Sequence, residues 1–184
     1  MPTQRKQAPG ELELVRAFVN TLDVEQRADL IATPTALRAW LREAGLPSSG
    51  TADAGDVTRA AEVREGLREL LLANNEGSVP PVAAVATLDA AAGRAGLHLS
   101  VAADGRVTLA SEASGVDGAL GKLLVIAYRA METGTWSRLK ACRNDTCLWA
   151  FYDHSRNHSG HWCSMSVCGN RMKVQAYRAR HASG

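Results

Sequence analysis

The sequence has no long apolar run and no segment that resembles an export signal. A membrane-spanning helix needs about 18 or more apolar residues, and no stretch of the 184 residues approaches that length. The first residues, MPTQRKQAPGELELV, lack the apolar core of a secretory signal. We therefore expect a soluble, cytoplasmic protein with no membrane partner.

Aromatic residues are scarce, at 5% of the chain, yet apolar residues of all kinds make up 46%. That share is enough for a hydrophobic core and argues against general disorder. The length suits one ordinary domain followed by a small module. Internal repeats and low-complexity tracts are also absent, which argues against a repeat protein.

Residues 1–135 lack any recognisable catalytic constellation. They show no paired carboxylates and no nucleophile beside a base, and the glycine-rich stretch GVDGALGK lacks the spacing of a phosphate-binding loop. His98 stands alone on a predicted strand, where a histidine is more often a polar surface residue than part of a site. We therefore expect a protein that is not an enzyme.

Positive charge is lacking in the first part of the chain and concentrated in the last. Residues 1–135 carry 13 Lys/Arg against 17 Asp/Glu, a net charge of −4, whereas residues 136–184 carry 8 against 2, a net charge of +6. Such an asymmetry indicates a polyanionic partner for the basic end.

Apolar periodicity predicts that residues 1–135 form a mostly helical domain. Helical spacing is present in ELELVRAFVNTLDVEQRADL, TPTALRAWLREAGL, DVTRAAEVREGLRELLLANNEG, PVAAVATLDAAAGRAG and VDGALGKLLVIAYRAMET. Thr33 and Asp56 are the expected N-caps of the second and third helices. We expect Arg64 and Arg68 on the solvent-facing side of the third helix.

One segment of this domain changes period from helical to alternating. In LHLSVAADGRVTLA, Leu97, Leu99 and Val101 alternate with polar residues, and the dipeptide Asp104-Gly105 supplies a turn. The pattern predicts a β-hairpin.

Cysteine is absent outside residues 142–168, where four cysteines stand in two pairs. The spacing is Cys142-x4-Cys147, then fifteen residues, then Cys163-x4-Cys168. Two close pairs separated by such a loop can converge on one tetrahedral ion, and thiolates suit zinc. In a reducing compartment a metal site is favoured over two disulfides. We predict one Zn²⁺ bound by four cysteines.

Other interpretations of this segment remain open. One of its three histidines, His154, His158 or His161, could replace a cysteine as ligand. An iron–sulfur cluster would use thiolates too, but the spacing matches no ferredoxin pattern. A redox site is disfavoured because no C-x-x-C pair is present.

The composition around the cysteines predicts the local fold. LWAFYD is typical of a strand, HSRNHSG of a turn, and a helix is expected from its cap at Ser164 to about Arg180. A knuckle, a strand, a turn, a second strand and a helix in that order make a treble-clef-like finger. Trp149, Phe151 and Trp162 are expected in its small core.

The predicted class is therefore α+β. A mostly helical N-terminal domain with one β-hairpin, residues 1–135, precedes a small treble-clef-like four-cysteine zinc finger, residues 136–184. We expect a fragment that ends near Thr133 to fold alone and not to bind DNA.

Two stretches resemble known families. WSRLKACRNDTCLWAFYDHSRNHSGHWCSMSVCGNRMKVQAYR resembles the CGNR zinc-finger family, named for the motif that stands here as Cys168-Gly169-Asn170-Arg171. FVNTLD followed by TPTALRAWL resembles the ABATE domain, which precedes that finger in predicted stress-induced transcription regulators. The resemblance implies a zinc-bearing C-terminus that binds DNA.

Helical spacing suggests how the last helix would bind. Arg171, Gln175 and Arg178 share one face at i, i+4 and i+7, and arginine and glutamine can read guanine and adenine in the major groove. The other cations are expected to hold phosphates. Alternatively, Arg171 could brace the metal site. The candidate nucleic-acid residues are Lys140, Arg143, Arg156, Arg171, Lys173, Gln175, Arg178 and Arg180.

These observations predict a zinc-dependent, DNA-binding transcription regulator. The expected partners are DNA and, at the N-terminal domain, either a small-molecule effector or a second copy in a homodimer. A protein- or RNA-binding zinc adaptor is the alternative. An enzyme is the weakest interpretation, since a metal with four cysteine ligands has no position for a catalytic water.

Overall fold

The computed structural model describes residues 7–181 and has the expected α+β composition. Its α-helices are α1 Leu12–Val19, α2 Pro34–Glu43, α3 Ala54–Glu76, α4 Val82–Arg94, α5 Gly115–Glu132 and α6 Asn170–His181. Its strands are β1 Leu22–Asp23, β2 Ala28–Asp29, β3 Leu97–Val101, β4 Val107–Ser111, β5 Leu139–Ala141 and β6 Ala150–Tyr152, paired in that order as three antiparallel ribbons. A 3₁₀ turn, Trp136–Arg138, precedes β5, and a π-helical turn, Met165–Gly169, leads into α6. Within residues 7–181 no helix is long and apolar enough to cross a membrane.

The first helix is shorter than the sequence pattern indicated. α1 ends at Val19, and Leu22, although at helical spacing, lies in β1 opposite Asp29. The Thr21 hydroxyl donates to the Phe18 carbonyl at 2.8 Å and closes the helix end. The chain therefore leaves the helix and forms the β1–β2 ribbon before the helical spacing of apolar residues ends.

The caps of α2 and α3 decide where those helices begin. Thr33 caps α2 as predicted, since its Oγ1 accepts from the Ala36 amide at 3.2 Å. For α3 the prediction was wrong by three residues, because Asp53 is the N-cap. Asp53 accepts from the Asp56 amide at 2.8 Å, and Asp56 accepts from the Asp53 amide at 2.9 Å. This reciprocal capping box satisfies two amides at once.

α3 forms the centre of the fold. It has 23 residues, so at about 1.5 Å per residue it is about 34 Å long. Its apolar stripe of Val63, Leu67 and Leu71 is fully buried. It contacts α1, α2, α4, α5 and β5.

The prediction that Arg64 and Arg68 face solvent was wrong. Their exposed fractions are 3% and 2%. Arg64 donates to Asp29 at 2.8 Å, and both arginines donate to the carboxylate of Glu65 at 2.8 Å. Burial acts to raise the pKa of Glu65, but the hydrogen bonds and charges of the two arginines bring it below its usual value. Because other elements pack against this side of α3, the two arginines are internal, and Glu65 pairs with both of them from a half-exposed position.

The predicted hairpin is present, with its turn at Asp104 and Gly105. In the register of β3 and β4, Leu99 lies opposite Leu109 and Val101 opposite Val107. This apolar face is not part of the core, since Leu99 and Val101 are each 69% exposed.

The hydrophobic core continues past residue 135. Apolar side chains from α1, α2, α3 and α5 form one cluster with residues of the last 49, namely Trp136, Leu139, Ala141, Ala150 and Tyr152. β5 and β6 thus belong to the same core as the helices.

Candidate metal centre and nucleic-acid interface

The four cysteines converge as the sequence predicted. Their sulfur atoms all lie within 4.8 Å of one another, and Cys163 is 3.7 Å from both Cys147 and Cys168. Four thiolates about 2.3 Å from one ion stand about 3.8 Å apart at the corners of a tetrahedron, whereas a disulfide needs about 2.05 Å. The geometry therefore fits a tetrahedral metal. In the described part of the chain, no histidine joins this cluster.

A tight turn places the first pair of cysteines. The Cys147 and Leu148 amides both donate to the Asn144 carbonyl, at 2.8 and 3.0 Å, and Leu148 has a positive φ of 50°. The buried Asn144 side chain then donates to the Cys168 sulfur at 3.7 Å. Asn144 thus links the two cysteine pairs. It is not itself a metal ligand, but it orients the ligand Cys168 through this hydrogen bond.

The electrostatics of the cluster favour a cation. Hydrogen bonds from the Cys147 and Cys163 thiols lower the pKa of Cys142. The neighbouring Cys142 and Cys147 raise the pKa of Cys163 well above its usual range. Ionisation of one thiol therefore opposes ionisation of the next, and a bound cation is what allows all four to be thiolates together.

The second pair of cysteines begins a helix rather than following a strand. The strand predicted between the turn and Cys163 is absent, and β5, which precedes Cys142, pairs with β6 instead. Ser164 is at the cap position, but its hydroxyl contacts Ser166 and makes no capping hydrogen bond. A Cβ on Gly169 would lie 2.7 Å from the sulfur of Met165 and 3.2 Å from the ring of Trp162, so glycine allows both side chains to approach here. Trp162 and Trp149 both pack against the cysteine cluster. The predicted roles of these tryptophans are confirmed, and Phe151 is buried as well.

The C-terminal end of α3 holds the cysteine segment. The side-chain nitrogen Nδ2 of Asn75 donates to the Ala141 carbonyl at 2.7 Å and to the His161 carbonyl at 3.0 Å. The His161 ring nitrogen Nδ1 donates to Asn75 Oδ1 at 2.7 Å. Burial and the cations Arg143 and Lys140 lower the pKa of His161, which favours the neutral ring. The neighbouring Asn74 donates to the carbonyls of Trp136 and Leu139.

The middle of α3 and the end of α1 hold the other side of this segment. The buried Arg68 guanidinium donates to the Leu148 carbonyl at 2.9 Å and to the Val19 carbonyl at 2.8 Å. The side chain of Asn20 exchanges two hydrogen bonds with the backbone of Ala150, at 2.9 and 2.7 Å, as a neighbouring strand would. The knuckle is therefore anchored to the helical domain by buried polar groups that have few other partners.

Lys140, a predicted phosphate contact, lies inside the protein. It is 4% exposed, and its ammonium donates to Asp153 at 3.0 Å and to the carbonyls of His158 and Gly160 at 2.5 and 3.2 Å. Burial acts to raise the pKa of Asp153, but hydrogen bonds from Ser155, Lys140 and Gly160 bring it well below its usual range. All three ammonium hydrogens are therefore used in holding the 153–160 loop.

The remaining predicted cations before α6 differ in placement. Arg143 is half-buried and donates to the Asn75 carbonyl at 2.9 Å. Arg156 is exposed in the 153–160 loop. Of the three predicted phosphate contacts outside α6, Arg156 is thus the one that presents its side chain to solvent.

α6 extends from the metal centre as an exposed basic helix. Arg171, Gln175 and Arg178 line one shallow groove along it, together with Val167 and Val174, so the shared face is confirmed. Lys173 and Arg180 are exposed as well. Met165, at the start of the π-helical turn before α6, is 56% exposed. The described side chains from Lys173 onward are all exposed.

Arg171, the last residue of the CGNR motif, contacts the helical domain. Its Nη1 lies 2.6 Å from Oε1 of Glu25, in the turn between β1 and β2, and both side chains are nearly half exposed. The hydrogen bond and charge of Glu25 raise the pKa of Arg171. This guanidinium thus pairs with a carboxylate across the fold and not with the metal knuckle.

Sequence reasoning missed the residues that join the two parts. Arg68 was read as a surface residue, and Asn20, Asn74, Asn75 and Glu25 were not singled out. A weak signal existed, because two consecutive asparagines at the end of an apolar helix are costly unless they are bonded. The partners of Asn20, Asn74 and Asn75 are 62 to 130 residues away along the chain. No local sequence pattern therefore identifies these three residues.

Together, the fold and the site define a class of protein: a helical domain that carries a C-terminal four-cysteine metal finger. Comparison with family models agrees. The ABATE model, described as "Putative stress-induced transcription regulator", matches residues 12–135, and the CGNR zinc finger model matches residues 138–181. The chain belongs to the ABATE family and has a CGNR zinc finger at its C-terminal end. A search of curated proteins found no match.

Proposed function

We propose that this protein is a zinc-dependent, DNA-binding transcription regulator that acts in the cytoplasm and is not an enzyme. The observation that carries the proposal is the position of α6. This cation-rich helix begins two residues after the last cysteine of the cluster, and its described side chains from Lys173 onward are exposed. The family description, a stress-induced transcription regulator, supports the same function.

Zinc is the proposed metal because of the donor set. Four thiolates at tetrahedral spacing suit Zn²⁺, which has no geometric preference of its own. A site closed by four protein ligands leaves no place for a metal-bound water, so the proposed role of zinc is structural. Cys142, Cys147, Cys163 and Cys168 would hold it.

The proposed DNA-reading face is the row of Arg171, Gln175 and Arg178. An α-helix fits the major groove, where arginine pairs with guanine and glutamine with adenine. Lys173, Arg180 and Arg156 flank that face and would hold phosphates. We leave Lys140 out of the interface because its ammonium is used inside the protein, and Arg143 because it is half-buried against Asn75.

For the helical domain we propose ligand sensing or dimerisation. Its contact with the finger through Asn74, Asn75 and Arg68 gives a physical route by which a change in the domain could move α6. The exposed apolar face of the β3–β4 hairpin, which includes Leu99 and Val101, is the surface that a second copy could cover.

A second candidate function is a protein-binding zinc adaptor. It is favoured by three apolar side chains on and before α6, since Val167, Val174 and Tyr177 are 42%, 47% and 57% exposed. A protein partner would cover such residues, whereas DNA backbone contacts would not need them.

DNA binding by the full chain tests the proposal. Selection from a random duplex library, followed by anisotropy with the selected duplex between about 50 and 200 mM salt, should show binding that weakens steeply with salt. Arg178→Ala should cost about 1–3 kcal/mol and relax the preference at one base pair. Lys173→Ala should weaken all sequences alike and lower the salt slope by about one.

Arg106→Ala is the matched control, because Arg106 is an exposed cation on the β3–β4 turn. It should leave DNA affinity unchanged. If the chain selects no sequence and its DNA affinity ignores both salt and the α6 substitutions, the DNA-binding proposal fails and the adaptor takes its place.

A further inference from the structure

A cavity of about 270 Å³ lies between α2 and the loop that joins α2 to α3. Arg38 and Arg42, four residues apart on α2, line it from one side. Ser48 and Thr51 of the loop line it from the other, and Thr35 adds a third hydroxyl. The cavity therefore offers two guanidinium groups and several hydroxyl donors within one small space.

These two arginines differ from most arginines of the helical domain in their partners. Seven other arginines of the domain form ion pairs with carboxylates, and Arg27 is a described arginine that does not; the seven are Arg16, Arg59, Arg64, Arg68, Arg94, Arg106 and Arg129. Within residues 7–181, Arg38 and Arg42 have no such pair. In a domain with more acidic than basic residues, two adjacent cations without carboxylate partners are available to an external anion.

The acidic residue next to the cavity does not neutralise it. Asp53 follows the loop, but its carboxylate accepts from the Asp56 amide in the capping box of α3, and it is not among the residues that line the cavity. The apolar lining, which includes Ala39 and Ala52, gives the rest of a ligand a surface to pack against.

We propose that this cavity binds a small anionic molecule whose phosphate or carboxylate group lies between Arg38 and Arg42. Guanidinium groups bind both kinds of oxyanion through paired N–H donors. The volume lies just below the roughly 300–1,000 Å³ of pockets for drug-sized ligands, so the ligand is a small metabolite-sized anion.

A role for this anion as an effector rests on the proposed DNA-binding function, but its binding does not. The loop is tied to the start of α5, because the Gly115 amide donates to the Ser49 hydroxyl at 3.2 Å. The same loop leads directly into the capping box of α3, and the far end of α3 holds the finger through Asn75. An anion that orders the loop would therefore act on the helix that positions the metal centre.

Direct binding to the full chain tests the site without any DNA. Calorimetric titrations with inorganic phosphate and with succinate, at constant ionic strength in chloride, distinguish a phosphate ligand from a carboxylate ligand. We expect saturable binding of at least one probe, weakened at least about tenfold in Arg38→Gln/Arg42→Gln, the loss expected from one or two charge-assisted bonds. Arg106→Gln, which removes an exposed cation outside the cavity, should bind as the wild type does.

Three results would overturn the proposal. One is the absence of saturable binding of either probe above chloride. Another is equal binding by the double variant, when circular dichroism shows that it is folded. The third is a loss of DNA affinity in the double variant, in buffer free of both probes, as large as that of Arg178→Ala, because the two arginines would then serve DNA phosphates.

The effector role has its own readout. Addition of the bound probe should change DNA affinity of the wild type several-fold and leave the double variant unaffected. Anion binding without any DNA binding would contradict the proposed function and leave the site intact. DNA binding without anion binding would contradict the site alone.

Discussion

At the scale of single residues, the metal centre depends on a small number of side chains with separate tasks. The four cysteines supply the donors, and Asn144 connects Cys168 to the turn that holds the first pair. Lys140 and Asp153 form a buried ion pair that fixes the loop between the two cysteine pairs. Loss of a ligand and loss of a supporting residue should therefore have different consequences.

Substitution of a ligand should remove the metal. In Cys142→Ser or Cys168→Ser the serine hydroxyl stays protonated near neutral pH, so one of four thiolate donors is lost. Elemental analysis of the purified wild type should give one zinc per chain, and each variant should give nearly none. Ser166→Ala, an exposed change between the last two ligands, should keep the metal. Full zinc content in both cysteine variants would contradict the four-cysteine site.

Substitution of Arg68 should destabilise the whole protein. Arg68→Met keeps much of the volume but leaves the carbonyls of Leu148 and Val19 without donors and weakens the pairing of Glu65. A buried acceptor left without a donor costs about 1–3 kcal/mol, and chemical denaturation can measure the loss for these two carbonyls. Arg106→Met, which removes an exposed ion pair, should cost less than about 1 kcal/mol. Equal effects of the two changes would mean that Arg68 is not a link between the two parts.

At the scale of elements, α3 and α6 differ in how much of their surface other parts of the protein cover. α3 is packed on several sides, and its arginines Arg64 and Arg68 are buried and paired with carboxylates. The α6 side chains that the structure describes form no buried stripe, and such a helix is stable only if it is anchored at one end or covered by a partner. Its anchor is the π-helical turn that contains Cys168.

Removal of most of α6 should separate binding from folding. A chain that ends after Met172 loses Lys173, Gln175, Arg178 and Arg180 but keeps all four cysteines. We expect an unchanged zinc content and a nearly unchanged melting temperature, because the removed side chains that the structure describes are exposed. The salt slope of DNA binding should fall by about 2–3, for three lost cations. A loss of zinc would instead show that α6 is part of the metal module's fold.

At the scale of the whole molecule, the finger and the helical domain share one core. Trp136, Leu139 and Tyr152 belong to the same cluster as the apolar residues of α1 and α5. Asn20 and Asn75 satisfy backbone groups of the finger across that boundary. The sequence predicted that residues 1–135 fold independently, and that stays a prediction. Because the core is shared, we expect instead that they need the finger in order to fold.

Metal removal should therefore loosen the helical domain as well. Chelation frees the knuckle that Arg68 and Asn75 contact, so we expect a single unfolding transition at lower temperature and faster hydrogen exchange at the amides of α1. A fragment that ends at Thr133 should likewise lack a cooperative transition, since it loses part of its core. Two separate transitions, with the protection of α1 unchanged by chelation, would restore the picture of independent domains.

The sequence alone determined the features that depend on local spacing. The four-cysteine site follows from two C-x4-C pairs, the hairpin from alternation around Asp104, and the start of α2 from Thr33 and Pro34. The face shared by Arg171, Gln175 and Arg178 follows from the helical period. Each of these depends on residues that are close in the chain or on a motif that has few alternative structures.

Only the tertiary structure decided which polar residues are internal. Arginine and lysine usually lie at the surface, yet Arg68 and Lys140 are buried. The carbonyls and carboxylates that surround them come from distant segments of the chain. Asn75 acquires its role only where α3 meets β5. A charge pattern in the sequence shows which residues are polar but not what will pack against them. In this protein the packing joins the ABATE part and the CGNR part of the chain in one core.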